Sequence, residues 1–227
     1  RMQERGERVV VRLVMNARTL PDAQSRNVVA EIRGTELPDE VVVLGGHIDS
    51  WDVGQGAMDD AGGSVAAWEA VRLMHELGMR PRRTVRVVLW TNEENGLRGA
   101  TAYRDRYRDQ LANHVLMLES DSGLFRPTGF GFSGSPAARA RIEDIATLLR
   151  GIQADRIGPS GGGADIGPSV EAGNVPAMSL EVDGNYFLLH HTPADTVDKI
   201  DPMDMARASG AIAVMAYIIA DMGERLR

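Results

Sequence analysis

A three-layer α/β sandwich, with a central mixed, mostly parallel sheet covered by helices, is the fold class this sequence predicts. Short apolar runs rich in Val, Leu and Ile alternate with stretches of helical period, the order that builds parallel strands joined by helical crossovers. The run at residues 41–46 (VVVLGG) is apolar throughout rather than alternately, as strands covered on both faces are. At 227 residues, with 43% hydrophobic and 25% charged positions, the chain can bury one sizeable core. No internal repeat or low-complexity linker divides it, so a single domain over residues 1–227 is expected.

The elements follow in order. Residues 9–15 (VVVRLVM) and 27–32 (NVVAEI) read as strands, with Pro21-Asp22 between them and a turn at residues 36–40 around Pro38. The strand at 41–46 ends at His47, and the glycine-rich acidic stretch 54–63 is a loop. A helix over 62–77 places Val65, Trp68, Val71 or Met74, and Leu77 on one face, with Glu69, Arg72 and Glu76 on the other and Gly78 as its stop. Strand 84–90 (TVRVVLW) leads into Thr91-Asn92-Glu93-Glu94, and a helix over 98–109 precedes strand 115–118. A strand at 128–132, a helix at 136–150, a loop at 158–163, a short helix from Asp165, a strand at 177–180 and a last helix over 202–223 complete the reading.

Composition excludes several classes. A formal net charge of −7 argues against nucleic acid or an anionic membrane surface as partner. The longest apolar run, residues 211–220, is short of the roughly 20 residues of a membrane-spanning helix, and no signal peptide is visible. With no cysteine, a disulfide framework, a thiolate metal site and a cysteine nucleophile are all excluded. No G-x-S-x-G elbow occurs, and Gly161-Gly162-Gly163 is not a dinucleotide fingerprint.

Five clusters remain: His47-Ile48-Asp49, Asp59-Asp60, Glu93-Glu94, Asp121 and His190-His191. The first, third and fourth directly follow strands, where open α/β sheets bind ligands. Carboxylates are not buried without compensation, and a pair of divalent cations would supply it. Each cluster has a plainer alternative. His47 and Asp49 fit a polar loop, with Asp49 otherwise a partner orienting a metal-bound His47. Asp60 fits a helix N-cap, leaving Asp59 to bridge metals. Glu93-Glu94 fits a solvated turn; otherwise one carboxylate binds metal and the other is a general base. Asp121 is preferred to Glu119 as a ligand because Glu119 lies deeper in its strand. His75 and His114, without acidic clusters nearby, read as structural or surface residues.

The stretches GGHIDSWDVGQGAMDDAGG (45–63), TNEENGLRGA (91–100), LESDSG (118–123) and HHTPADTVDKID (190–201) together resemble the family 28 metallopeptidases. In detail they are most similar to the plasma glutamate carboxypeptidase (carboxypeptidase Q) branch. The resemblance covers nearly the whole chain and implies the phosphorylase/hydrolase-like fold of zinc-dependent exopeptidases. It implies two zinc ions: His47 and Asp121 on one, Glu94 and His191 on the other, Asp59 bridging them with its two oxygens, and a cis Asp59–Asp60 peptide. Glu93 is then the general base and acid acting on a bridging hydroxide, Asp49 orients His47, and His190 stands where some relatives carry a tyrosine that steadies the tetrahedral intermediate. Dipeptides or short peptides are the implied substrates, an exported enzyme the implied setting, and a homodimer is left open. The same resemblance implies that the chain is the catalytic part of a longer protein bearing a protease-associated cap domain. Two other readings stand beside it: a glutaminyl cyclase-like enzyme, and a catalytically silent binding or scaffold domain. Glu181, Asp183 and Asp165 are candidates to meet a substrate amine, and Arg126 and Lys199 a substrate carboxylate.

Overall fold

The computed structural model describes residues 2–226; the two terminal residues of the expected domain lie outside the described residues. The strands are β1 (Val28–Ile32), β2 (Leu37–His47), β3 (Arg83–Trp90), β4 (His114–Glu119), β5 (Arg126–Ser133), β6 (Arg156–Gly158) and β7 (Ala177–Asp183). The helices are α1 (Gly62–Glu76), α2 (Arg98–Arg106), α3 (Pro136–Ala146), α4 (Gly167–Gly173) and α5 (Pro202–Asp221). The strands form one seven-stranded sheet in the order β1-β3-β2-β4-β7-β5-β6. β3, β2, β4 and β7 run parallel to one another, while β1 is antiparallel to β3 and β5 to β7. The mixed, mostly parallel sheet is thus as expected.

The all-apolar β2 is central, with its residues dividing between two cores. Val42 and Leu44 pack with residues of α1, α3 and α5. Val41 and Val43 face Trp90, Ala100 and Tyr103 on the opposite side. Alternate residues of a strand point to opposite faces, so a strand buried on both sides needs apolar residues at every position. Helix α5 starts at an Asp201 cap, whose carboxylate accepts the amides of Met203 and Asp204, with Pro202 at its first position. By length and composition it could cross a membrane. Here it buries Ala208, Ala211, Ile212, Met215 and Ile219 in the domain core.

Four expectations need correction. Residues 9–15 are not a strand: they are exposed, Val11 by 80%, and no strand pairs with them among the described residues. β-propensity without an edge to pair with leaves the backbone bonded to water. The turn at 36–40 is instead the irregular start of β2, where the register against β3 shifts between Leu37 and Val41. The three-residue β6 was not foreseen, being too short and too polar to carry a periodic signal. Finally, only Val71 and Met74 of the large apolar stripe of α1 face inward. Val65, Trp68 and Leu77 are 45%, 47% and 73% exposed, whereas Ala66, Ala67, Ala70, Val71 and Met74 are buried. α1 packs against both β2 and α5, and small residues let helix backbones come close to their neighbours.

This assignment predicts an inverted sensitivity along α1. Ala70→Leu should destabilise by about 1–3 kcal/mol through overpacking, while Val65→Ala should stay within about 0.5 kcal/mol of the parent. Urea unfolding midpoints of the two variants would measure it; the opposite ranking would restore the large apolar stripe as the inner face.

Candidate metal centre

β2, β3, β4 and β7 run parallel, so their carboxyl ends share one edge of the sheet. His47 is the last residue of β2; Glu93 and Glu94 follow β3, Asp121 follows β4, and His190 and His191 follow β7. Asp59 and Asp60 lie in the turn Ala57–Ala61 that opens into α1, and the peptide between them is cis, as the resemblance implied.

These groups converge. His47 Nε2 lies 3.2 Å from Asp59 Oδ1, 3.6 Å from Asp121 Oδ1 and 4.0 Å from Glu93 Oε2. His191 Nε2 lies 3.1 Å from Asp59 Oδ2 and 2.9 Å from Glu94 Oε2. The two oxygens of Asp59 therefore face two different imidazoles. His191 adopts a left-handed backbone, φ 56°. In an extended chain successive side chains point to opposite sides; here the two consecutive rings stack, with centroids 3.5 Å apart. His190 Nε2 in turn comes within 3.6 Å of Asp59 Oδ2.

The arrangement leaves polar atoms stranded. His47 Nε2, Asp59 Oδ2, Glu94 Oε1 and Asp121 Oδ1 are buried and make no hydrogen bond. Such atoms ordinarily cost about 1–3 kcal/mol each. Two overlapping groups, His47-Asp59-Glu94 and Asp59-His190-His191, bring ligand atoms within 4.8 Å of one another. A set of imidazole nitrogens and carboxylate oxygens without thiolate suits zinc, so the donors present fit the ions that the resemblance implies.

The electrostatics point the same way. Burial works to lower the proton affinity of His47, yet the adjacent carboxylates of Asp121 and Asp59, helped by Asp60, push its pKa up to about 12. The cluster thus demands positive charge strongly enough to hold a proton on a buried imidazole. Burial raises Asp59, but His47, Tyr186 and His190 outweigh it and hold the carboxyl below its ordinary range. Burial raises Glu93 and Glu94, with neighbouring carboxylates adding to it.

Asp60 serves the scaffold. Its Oδ2 accepts the amide of His47 at 3.1 Å and its Oδ1 the amide of Gly63 in the first turn of α1 at 3.2 Å. The capping role read from the sequence is therefore half of what it does. Asp60 also lies among the donors with His47 and Asp121, and burial and the charge of Asp121 raise its carboxyl well above the usual range. Glycine is required beside it: a Cβ at Gly46 would come within 2.1 Å of Asp60 Oδ2.

Asp49 departs from expectation. His47 Nδ1 is held at 2.8 Å by the backbone carbonyl of Asp49, while the nearer oxygen of the Asp49 carboxylate is 3.9 Å away. That carboxylate instead accepts the amides of Glu93 at 3.0 Å and Glu94 at 3.4 Å. β2 and β3 are adjacent and parallel, so a residue just past β2 meets the loop leaving β3. Asp49 orients both clusters, one through its backbone and one through its side chain.

The candidate specificity residues have partners or burial of their own. Arg126 pairs with Asp183 at 2.5 Å, Glu181 with Arg156 at 3.2 Å and Lys199 with Asp198 at 2.7 Å. Asp165 is buried, with both oxygens unbonded, rather than capping α4. Burial, then the charge of Glu119, raises it to about 9, and burial raises Glu119 to about 7. Glu119 accepts the amide of Ile166 at 2.8 Å, in keeping with the preference for Asp121. His75 is exposed, and His114 is buried between Tyr103 and the Gln110 carbonyl, so both are structural or surface residues as read. Sequence reasoning missed Tyr186, whose phenol lies against Asp59 and is raised by burial and by the charges of Asp121 and Asp59. It also missed Trp51, edge-on to His191 at 5.6 Å. Tyr186 lies one turn before His190, whose amide bonds to its carbonyl, a spacing that could have flagged it.

The comparisons agree with this geometry. The model of Peptidase family M28 matches residues 27–216, and the chain belongs to that family. Carboxypeptidase Q of Mus musculus is 46% identical over 227 residues, covering 100% of this chain and 48% of the relative. The chain thus spans about half the length of this curated relative. The crystal structure of a peptidase M28 precursor from Shewanella amazonensis superposes with a TM-score of 0.83 at 34% identity, over 88% of this chain and 46% of that one. A zinc aminopeptidase from Bacillus subtilis shares the fold, with a TM-score of 0.70 at 16% identity over 88% of this chain and 51% of that one.

The buried acid at Asp165 makes a stability prediction. Its folded-state pKa of about 9 lies above the usual carboxylate value, so the group favours folding only while protonated, and that contribution is lost as pH rises from about 4 towards 9. Asp165→Asn should therefore stabilise the metal-free chain by at least about 1 kcal/mol at pH 8 and have little effect at pH 4. Denaturation at the two pH values would show the difference; equal effects would refute it.

Proposed function

We propose that this domain is a zinc-dependent exopeptidase that hydrolyses the peptide bond of dipeptides or short peptides. The observation that carries the reading is the convergence of side chains from the ends of β2, β3, β4 and β7 on the two oxygens of Asp59, with His47 Nε2, Glu94 Oε1 and Asp121 Oδ1 buried there without a hydrogen bond. Membership of a peptidase family and the identity to carboxypeptidase Q support it. In this reading His47 and Asp121 would hold one ion, Glu94 and His191 a second, and Asp59 would offer an oxygen to each.

Bound ions would polarise the scissile carbonyl and acidify the attacking water. The remaining work falls to the chain. Glu93 takes the proton of the water and delivers it to the leaving amine; its burial raises its proton affinity towards the range a general base needs. Asp49 fixes the Glu93 and Glu94 backbone through their amides. His190, stacked on His191 and partly exposed, donates a hydrogen bond to the developing oxyanion.

Relatives and neighbours are named for carboxypeptidase and aminopeptidase activities alike, and removal of a terminal residue is common to both. The similar Shewanella protein is a peptidase precursor, which supports export. The scaffold reading is disfavoured by a donor set in which every expected position is filled, and dipeptide hydrolysis with two bound zinc ions separates the proposed activity from a glutaminyl cyclase.

Glu93→Gln should keep the metal content of the parent while turnover falls about 10²–10⁴-fold. Elemental analysis alongside a dipeptide hydrolysis assay checks both halves; a metal-free variant would make Glu93 a ligand instead. In the parent, a chelator should abolish hydrolysis across a dipeptide panel, and added zinc should restore it. Hydrolysis indifferent to chelator would end the zinc reading.

A further inference from the structure

Asp195 belongs to none of the clusters read above, and it is 4% exposed. It sits four residues past His191 in the turn that follows β7. Its two oxygens are spent on consecutive amides of another loop: Oδ1 accepts Met58 N–H at 2.6 Å and Oδ2 accepts Asp59 N–H at 3.2 Å. Its carbonyl accepts Gln55 N–H at 2.7 Å, and Gln55 Oε1 returns a bond to Val197 N–H at 2.8 Å. The segment 192–197 and the segment 54–59 are thereby stitched at four points. Hydrogen bonds to an ionised carboxylate are roughly twice as strong as neutral ones, and two from one side chain fix direction as well as distance.

We propose that Asp195 is the positioning residue that sets the separation of Asp59 and His191. Asp59 must present one oxygen to His47 at 3.2 Å and the other to His191 at 3.1 Å. Its side chain has few torsions with which to correct a misplaced backbone. Pinning the Asp59 amide fixes the origin of that side chain. The pin comes from the turn that carries His191, so the two ligands move together rather than independently. The turn is itself closed by Asp195 N–H on the Thr192 carbonyl at 3.1 Å, leaving little slack between His191 and the carboxylate. The contact of Gly54 with this turn is close: a Cβ there would stand 2.8 Å from the Thr192 carbonyl oxygen and 2.9 Å from that of Asp195.

The inference rests on the metal-binding reading of the site, and the test separates the two. Zinc affinity of the full chain is measured by competition with a chromophoric chelator for the parent, Asp195→Asn, Gly54→Ala and Asp201→Asn. Asp195→Asn sets an amide group against one of the two N–H donors. Gly54→Ala leaves the carboxylate in place but presses the two segments apart. Asp201→Asn alters a carboxylate that accepts two amides at the start of α5, outside the centre, and controls for a general loss of stability. The first two variants should bind zinc about 10–100-fold more weakly, the effect expected when the supports of metal ligands are removed, with Asp201→Asn unchanged. A loss of less than tenfold in Asp195→Asn overturns the proposal, as does the same result in Gly54→Ala should Asp195→Asn fail to fold. An equal loss in Asp201→Asn also overturns it, by making the effect one of stability. A parent chain that takes up no zinc overturns the metal reading itself.

Discussion

Asp60 ties the last amide of β2 to the first turn of α1, with one oxygen for His47 and the other for Gly63. The rest of the centre depends on that clamp. It fixes where the sheet edge stops and where the helix starts, and His47 and Asp59 hang from either side of it. A carboxylate buried this deeply is tolerated because both oxygens are bonded. It is accommodated because Gly46 and Gly63 carry no side chain: a Cβ at either would fall within about 2.3 Å of an Asp60 oxygen. The glycine-rich sequence around the two aspartates is thus a spatial requirement of the clamp.

From this fixed edge the other groups are brought in by sheet geometry. Parallel strands release their chains at one edge, so β2, β3, β4 and β7 deliver a histidine, two glutamates, an aspartate and a histidine pair to the same place. Supporting contacts then run between neighbouring loops. Asp49 leaves β2 and holds the backbone after β3; Asp195 follows β7 and holds the backbone before α1. The outcome is a cluster of carboxylates whose mutual repulsion is relieved only by positive charge. The raised pKa of His47 expresses this demand, as do the donor atoms left without hydrogen bonds.

Much of the fold was legible in the sequence because its signal was local. The all-apolar β2, the Pro202 and Asp201 start of α5, and the strand ends at His47 and before Glu93 needed only periodicity and capping chemistry. Where local signals misled, packing had decided. Trp68 and Val65 look like core residues on a helical wheel, but α1 comes close to its neighbours through Ala66, Ala67 and Ala70. Residues 9–15 have the composition of a strand but no partner edge among the described residues. The partners of Arg126, Lys199, Glu181 and Asp183 were not legible for a related reason: sequence gives charges, not the opposite charges beside them.

By itself the sequence determined the class of fold, the family and the side chains able to hold a cation, because each is carried by residue type and spacing along the chain. Tertiary structure alone decided how those side chains are held. Asp49 supports His47 with its carbonyl and spends its carboxylate elsewhere. Tyr186 and Asp195 both reach Asp59 from the loop that follows β7. Hydrogen-bond partners more than a hundred residues apart, such as Asp195 and Met58, depend on how loops meet after the sheet has formed, and a linear pattern holds no record of that meeting.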